Sequence, residues 1–279
     1  MFQLQAQKSL GQHFLVDPKY HQRIVDAVAP VRGDIVIEIG PGTGLLTRHL
    51  LASPLEKLIS YELDARAIPE LREMFSAEGD RFEVVEQDFL EVDLSALARK
   101  YDRKIRVVGN IPYYITSPIL FKLIDERDSV QDAVLLVQKE VADRLVASPR
   151  TKAYGIPTVL ANFFGEVKQL FRVPAGAFRP APKVDSAVVR IDFSRDHFTR
   201  TGTSRPPNFD DLAFRKLVRA LFAMRRKTVR NNLKAFVSPE VIERLEMSPE
   251  VRFLTARAEE FSIPDFLELA AAISVGNNP

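Results

Sequence analysis

The segment of this chain best equipped for chemistry is Asn110-Ile-Pro-Tyr113. An exocyclic amine on adenine is a poor nucleophile because its lone pair is delocalised into the ring. Held by two acceptors, the Asn110 side-chain oxygen and the backbone carbonyl that follows, such a nitrogen can pyramidalise and aim its lone pair at a sulfonium methyl group. Pro112 restricts Ile111 to an extended backbone, which helps direct that carbonyl outward. Tyr113 offers a flat face on which an extracted base can stack. Alignment and electrostatics suffice for this reaction, without a strong base or a metal. Standing alone, the tetrapeptide is equally a turn after a strand.

A second constellation lies upstream. Asp34-Ile-Val-Ile-Glu-Ile-Gly40-Pro-Gly42-Thr-Gly44 runs from a buried strand into a glycine-dense turn. Glycine there lets the backbone approach a ligand where a Cβ would collide. No Lys-Ser/Thr pair follows, which excludes a P-loop, and the G-x-G-x-G spacing differs from the nicotinamide G-x-G-x-x-G. Glu62 stands about 20 positions beyond Gly40, at the end of the next strand, where an acid can accept ribose hydroxyls. Asp88 closes the third strand at the same edge and could accept from an adenine amino group, or simply cap a turn. Gly40, Glu62 and Asp88 together specify a nucleoside-bearing cofactor.

The rest of the composition removes alternatives. The chain has no cysteine, so disulfides, a Cys-based zinc site and a thiolate nucleophile are excluded. Its four histidines, His13, His21, His49 and His197, never adopt the His-Glu-x-x-His spacing of a zinc hydrolase, and no metal is expected. The first residues show no cleavage pattern, and no later apolar run approaches the length of a membrane span. A cytoplasmic protein is expected. Net charge is only +2, but eight Lys/Arg and no acid fall between Leu212 and Pro239. A local basic stripe of this kind is the footprint of a phosphate backbone.

The elements that must position these residues follow from hydrophobic period. Short β-branched runs at 34–39, 57–61, 82–86, 104–109, 131–138, 166–171 and 186–193 alternate with helical segments at 18–29, 43–52, 64–77, 93–101, 117–126, 139–147 and 155–164. This is an α/β pattern: a Rossmann-like sheet of seven mostly parallel strands. Polar residues and a Pro-Pro pair at 194–208 read as a linker between a catalytic domain at 1–193, with an amino-terminal arm at 1–16, and a small all-helical domain at 209–279. On one continuous helix, Arg215, Arg219, Arg226 and Arg230 would share a side, at spacings of four, seven and four. That side could track RNA phosphates or be a solvated face.

Over nearly its whole length the sequence resembles the bacterial small-subunit ribosomal RNA adenine N6,N6-dimethyltransferases, Rossmann-like class I methyltransferases. The opening Lys8-Ser-Leu-Gly-Gln-His-Phe-Leu15, the segments Gln138-Lys-Glu-Val-Ala-Asp-Arg144-Leu and Lys152-Ala-Tyr-Gly155, the run Pro174-Ala-Gly-Ala-Phe178-Arg-Pro-Ala-Pro-Lys183-Val-Asp-Ser, and Met224-Arg225-Arg-Lys227-Thr-Val-Arg230-Asn-Asn-Leu carry the likeness. The resemblance implies S-adenosylmethionine as methyl donor, contacted by His13, Leu15, Gly40, Glu62, Asp88 and Asn110. It implies that the arm wraps over the methionine end of the cofactor. It also implies that Phe178 packs on the target base opposite Tyr113, although a loop aromatic plugging a core is the plain alternative. Arg219, Arg226, Lys227 and Arg230 become RNA contacts, and Lys139, Arg144 and Lys152 are further phosphate candidates, each equally a surface charge. The implied substrate is a pair of adjacent adenosines near the 3′ end of 16S rRNA in a pre-mature small subunit. A role in subunit maturation and a monomeric state complete the expectation.

Two enzymes compete with this reading. Methylases of 23S rRNA share the Asn-x-Pro-Tyr/Phe arrangement, but the Phe178 and Arg225-Arg-Lys227 runs favour the small-subunit group. DNA adenine methyltransferases usually carry a proline where this chain has Ile111. From another class comes an RNA-binding assembly factor in which catalysis is secondary or lost.

Overall fold

The computed structural model describes residues 4–7 and 11–274. The chain divides into two compact units, one of residues 1–143 and 164–196, the other of residues 144–163 and 197–279. The first part of the chain carries β1 (Phe14–Leu15), α1 (Pro18–Val28), β2 (Ile35–Ile39), α2 (Leu45–Leu51), β3 (Lys57–Glu62), α3 (Ala67–Met74), β4 (Phe82–Glu86), α4 (Leu94–Tyr101), β5 (Ile105–Asn110), α5 (Thr116–Asp125) and β6 (Val130–Gln138). After α6 (Lys139–Leu145) and α7 (Ile156–Phe164), the sheet unit resumes with β7 (Glu166–Val173), β8 (Phe178–Arg179) and β9 (Ser186–Asp192).

Seven strands form one sheet in the order β4-β3-β2-β5-β6-β9-β7, parallel except where β9 runs antiparallel to both β6 and β7. The central strands are apolar runs because helices cover both faces of a parallel sheet. All five residues of β2, Ile-Val-Ile-Glu-Ile, are buried. Crossovers lead from β2 outward through β3 and β4, then return to β5 on the other side of β2. The crevice at the carboxyl ends of β2 and β5 is therefore the switch point where such sheets bind ligands. Gly109 sits in β5 opposite this junction, and a Cβ there would meet the Ile39 carbonyl oxygen at 2.8 Å.

Local signals set the helix that carries the arm against the sheet. The Asp17 carboxylate caps α1 by accepting from the Lys19 N–H at 3.0 Å, and Pro18 opens its first turn. His21, Ile24, Val25 and Val28 give the helix one buried face. The polar residue of that face is satisfied: His21 Nε2–H donates to the Leu15 carbonyl at 3.0 Å. Burial holds its imidazole neutral, down to about 4.

The second unit contains α8 (His197–Thr201), α9 (Asp211–Leu221), α10 (Val229–Leu233), α11 (Pro239–Glu246), α12 (Val251–Thr255) and α13 (Ile263–Ser274), together with α7. Asp210 caps α9 through the Leu212 and Ala213 N–H groups, and Phe214, Leu217, Val218 and Leu221 form its buried stripe. Three expectations are corrected here. Residues 144–163, read as part of the first domain, pack with the second unit. The segment 194–208, read as a linker, holds α8 with His197 and Phe198 buried. Phe198 meets Phe163 and Phe209, each at a centroid distance of 5.7 Å, and a five-residue helix is too short to show a period. Finally, α9 ends at Leu221 and α10 begins at Val229, so Arg215, Arg219, Arg226 and Arg230 do not lie on one continuous helix.

The break has a local cause. Asn232 is buried, donates from Nδ2 to the Leu221 carbonyl at 2.8 Å, and accepts the Met224 N–H on Oδ1 at 3.2 Å. It thus satisfies backbone groups that a continuing helix would have paired. Arg225 fixes the other side of the turn through the carbonyls of Lys152 at 3.1 Å and Tyr154 at 2.7 Å. Arg226 and Lys227 stay exposed at its tip.

Candidate active site

At the carboxyl edge of β2, β3, β4 and β5 the turns form a cavity open to solvent. Gly40, Glu62, Asp88, Asn110, Pro112 and Tyr113 all line it, as does His13 from the arm. The glycine turn adopts backbone that suits glycine: φ is +65° at Gly40, +52° at Gly42 and +75° at Gly44. The three are not equivalent. A Cβ on Gly42 would strike Phe14 at 2.8 Å, and one on Gly44 would crowd Leu71 and Phe75 at 3.0 Å. A Cβ on Gly40 would meet nothing within 4 Å, which leaves open space there beside a residue that lines the cavity.

Glu62 is buried at the end of β3. Its Oε2 accepts the Gly42 N–H, and its Oε1 accepts the N–H groups of Leu63 and Asp64, each at 2.9 Å. Burial still pushes the carboxyl above its ordinary range, against those bonds. A carboxylate has about four acceptor positions, so three internal bonds leave about one for a hydroxyl. Asp88 takes the turn-capping role on one oxygen, accepting the Leu90 N–H on Oδ1 at 2.9 Å, while still lining the cavity.

The Asn110 amide is oriented by the arm. Its Nδ2 donates to the His13 carbonyl at 2.8 Å. The reverse orientation would set oxygen against oxygen, so Oδ1 is the group left for the cavity. His13 is itself held: Nδ1–H donates to the Pro180 carbonyl at 2.8 Å, and its ring stacks on Tyr113 at 5.7 Å between centroids. The Tyr113 hydroxyl pairs with Ser186 Oγ at 3.1 Å. Strand β1 pairs antiparallel with β8, Leu15 opposite Phe178.

Two expected site residues stand apart. Phe178 is 1% exposed inside the main core cluster and is not among the residues lining the cavity. Its partner across β1 and β8 is distant in sequence, which no local period reveals. Leu15 is also buried in that core and borders instead a smaller adjoining cavity with Gly40 and Asn110. That cavity is floored by Glu38, whose Oε2 accepts Thr47 Oγ1 at 2.7 Å and Ser60 Oγ at 2.8 Å. Burial pushes the Glu38 carboxyl up to about 7.

Among the expected RNA contacts, Lys139 pairs with Asp143 at 2.5 Å, and Arg230 is bound by Glu246 through Nε at 2.6 Å. Residues Lys8 to Leu10 of the opening motif lie outside the described residues. Sequence reasoning left Gln12 as an ordinary arm residue, whereas its Nε2 donates to Asp64 Oδ2 at 3.0 Å and it lines the cavity; it missed Tyr114, an exposed ring that also lines it. Gln12 lies inside the opening motif, but its partner Asp64 could not be read from spacing. Among the described residues no group of His, Asp and Glu could hold a metal ion, and no helix is long and apolar enough to cross a membrane.

A sheet in this order, with a glycine turn after β2 and a buried acid ending β3, defines a Rossmann-like class I methyltransferase. A dimethyladenosine transferase from Plasmodium falciparum has a similar structure, with a TM-score of 0.76 and 28% identity over 92% of this chain and 96% of that one. The 23S rRNA methyltransferase ErmE aligns with a TM-score of 0.62 and 27% identity, covering 94% of this chain and 99% of its own. Ribosomal RNA small subunit methyltransferase A of Xanthomonas axonopodis pv. citri is 44% identical over 269 residues, 96% of this chain and 97% of that protein. The same-named protein of Francisella tularensis subsp. novicida is 37% identical over 98% of this chain and 99% of its own. The profile of the ribosomal RNA adenine dimethylases matches residues 3–273, and the chain belongs to that family. It is accordingly a ribosomal RNA adenine dimethyltransferase, of a class whose methyl donor is S-adenosylmethionine.

Proposed function

We propose that this enzyme dimethylates the N6 amines of two adjacent adenosines near the 3′ end of 16S rRNA, within a pre-mature small subunit in the cytoplasm, and contributes to subunit maturation. The observation that carries the chemistry is the Asn110 amide, whose Nδ2 is taken by the His13 carbonyl, leaving Oδ1 to accept, on a residue that lines the same cavity as Gly40 and Glu62. Identity of 37 to 44% with small-subunit enzymes, against 27% with ErmE, supports the choice of ribosomal subunit.

S-adenosylmethionine supplies the electrophilic methyl group and no metal takes part. The open cradle at Gly40 fits close approach of such a ligand, and the remaining acceptor position of Glu62 suits a ribose hydroxyl. Asp88 keeps Oδ2 for the adenine amino group of the cofactor. At the reaction edge, Asn110 Oδ1 and the Ile111 carbonyl accept the two N–H groups of the target amine and orient its lone pair. Tyr113, held by Ser186, gives the base a stacking face. Arg226 and Lys227 at the tip of the α9–α10 turn, with Lys139, Arg144, Arg219 and Arg230, contact RNA phosphates. The enzyme acts as a monomer.

The test is to incubate the protein and labelled S-adenosylmethionine with small subunits lacking the modification, with large subunits and with duplex DNA, then identify the methylated nucleoside. Dimethyladenosine from small subunits alone is expected. Label on large-subunit RNA or on DNA would overturn the substrate assignment. Binding of cofactor and subunits without any transfer would favour the assembly-factor reading.

A further inference from the structure

The amino-terminal arm touches the sheet unit at several points, and two of them meet the site from opposite ends. At one end the His13 carbonyl holds Asn110 Nδ2. At the other, one residue earlier, Gln12 donates from Nε2 to Asp64 Oδ2 at 3.0 Å. Asp64 is buried and stands two residues after Glu62, and its own N–H is one of the three that hold the Glu62 carboxylate. Arg66 braces the same carboxylate, with Nε on Oδ1 at 2.8 Å and a terminal nitrogen on Oδ2 at 2.6 Å. That nitrogen also reaches the Gln5 carbonyl at 3.2 Å. The hydrogen bonds from Arg66 and Gln12 hold the Asp64 carboxyl below its usual range. Gln12 is oriented in turn: its Oε1 accepts the Gln7 N–H at 2.9 Å, which leaves its amino group for Asp64.

We propose that Gln12 is a positioning residue for methyl transfer: by latching the arm to Asp64 it holds the His13 carbonyl where that carbonyl fixes Asn110 Oδ1 toward the target amine. The inference rests on the role proposed above for Asn110. Gln12 has no need to touch cofactor or base. Its effect passes through one peptide unit, because Gln12 and His13 are consecutive and a shift at one carries the carbonyl of the other. Without the latch the His13 carbonyl loses one of its anchors, and the Asn110 amide gains freedom to turn its donor group toward the base. A donor there would face the donors of the amine, which is the wrong polarity for orienting its lone pair.

The same geometry joins the latch and the cofactor acid through three hydrogen bonds, Asp64 N–H to Glu62, Gln12 to Asp64 and Asn110 to the His13 carbonyl, linked within Asp64 and between Gln12 and His13 by covalent bonds. Ordering of the turn around Glu62 therefore also orders the acceptor for the amine.

The experiment compares kcat, KM for RNA and cofactor affinity in wild type, Gln12→Ala, Gln12→Glu, Asp64→Asn and the double variant Gln12→Glu/Asp64→Asn, with Asn110→Ala alongside. Gln12→Ala is expected to lower kcat on the order of tenfold, the equivalent of about one net hydrogen bond. Gln12 also lines the cavity, so the readout that marks positioning is a fall in kcat larger than any change in KM for RNA or in cofactor affinity. Gln12→Glu sets two carboxylates against each other and should be at least as impaired. In the double variant the donor and acceptor change places: the amide nitrogen at position 64 donates to the carboxylate at position 12 and its oxygen still accepts from Arg66 Nε, while the Arg66 terminal nitrogen loses its acceptor. Part of the turnover should therefore return.

A kcat of Gln12→Ala within twofold of wild type, with Asn110→Ala inactive, would overturn the latch and leave the reading of Asn110 standing. A double variant no better than Gln12→Glu would overturn it equally. Full turnover in Asn110→Ala would sink both the acceptor assignment and the latch built on it.

Discussion

Replacing Glu62 by Gln tests how the cofactor edge is held together. Three N–H groups converge on its carboxylate: two on Oε1, from Leu63 and Asp64, and one on Oε2, from Gly42. In the better orientation of the new amide, its oxygen keeps the first two partners and its amino group faces the Gly42 N–H, donor against donor. One charge-assisted bond is lost, about 1.5–3 kcal/mol, and the two kept bonds become neutral and weaker. Removal of a carboxylate whose pKa burial has already raised returns part of this. A net loss of about 2 kcal/mol of stability is expected in urea unfolding. Cofactor binding should weaken further through the ribose contact, by roughly 10- to 100-fold in Kd by isothermal titration. Stability lost with affinity intact would confine Glu62 to building the turn. A variant within about 0.5 kcal/mol and twofold of wild type on both axes would falsify the hydrogen-bond count itself.

Three further outcomes follow from other positions. Glu38 has a carboxyl raised to about 7, so the folded chain binds its proton more tightly than the unfolded chain does. The stability this contributes is complete below its ordinary value near 4.5 and is lost as pH rises to 7, by about 3 kcal/mol. Glu38→Gln should flatten that fall in urea titrations at about pH 5 and pH 7.5, and an unchanged pH dependence would place the proton elsewhere. Gly42→Ala should destabilise the protein by about 1–2 kcal/mol from its left-handed backbone, with the Phe14 collision added. Gly40→Ala shares the backbone cost but meets nothing in the chain, so its larger effect should be on cofactor affinity; equal losses of affinity in the two variants would count against the cradle. Arg226→Glu with Lys227→Glu should weaken binding to small subunits and lower its salt dependence, leaving thermal stability within about 0.5 kcal/mol. Unchanged affinity at low salt would remove the turn from the RNA interface.

Most of the sheet strands were legible as short apolar runs bounded by turn residues, and Gly40, Glu62, Asp88 and Asn110 fall at one cavity because a parallel sheet brings its strand ends to one edge. What stayed hidden depends on contacts between distant segments. Phe178 reads as a loop aromatic until β8 is seen to pair with β1. The basic residues beyond Leu212 read as one helix because Asn232, which breaks it, looks like any helical asparagine in sequence. His197 and Phe198 look like linker residues until the rings of Phe163 and Phe209 surround them. The latch between Gln12 and Asp64 joins two segments with no common period, and neither residue stands out by type.

The buried amide of Asn232 has a consequence for how the second unit meets a partner. With Asn232 stitching one side of the turn and Arg225 the other, the two exposed cations at its tip are carried on a corner whose shape is settled when the unit folds. Association with a polyanion then costs little backbone ordering, since the ordering is already complete. A corner that cannot remould itself is also a gauge. On the proposed role of Arg226 and Lys227 as phosphate contacts, such a corner would meet phosphates at one spacing better than at others, and so discriminate between RNA shapes without reading a single base.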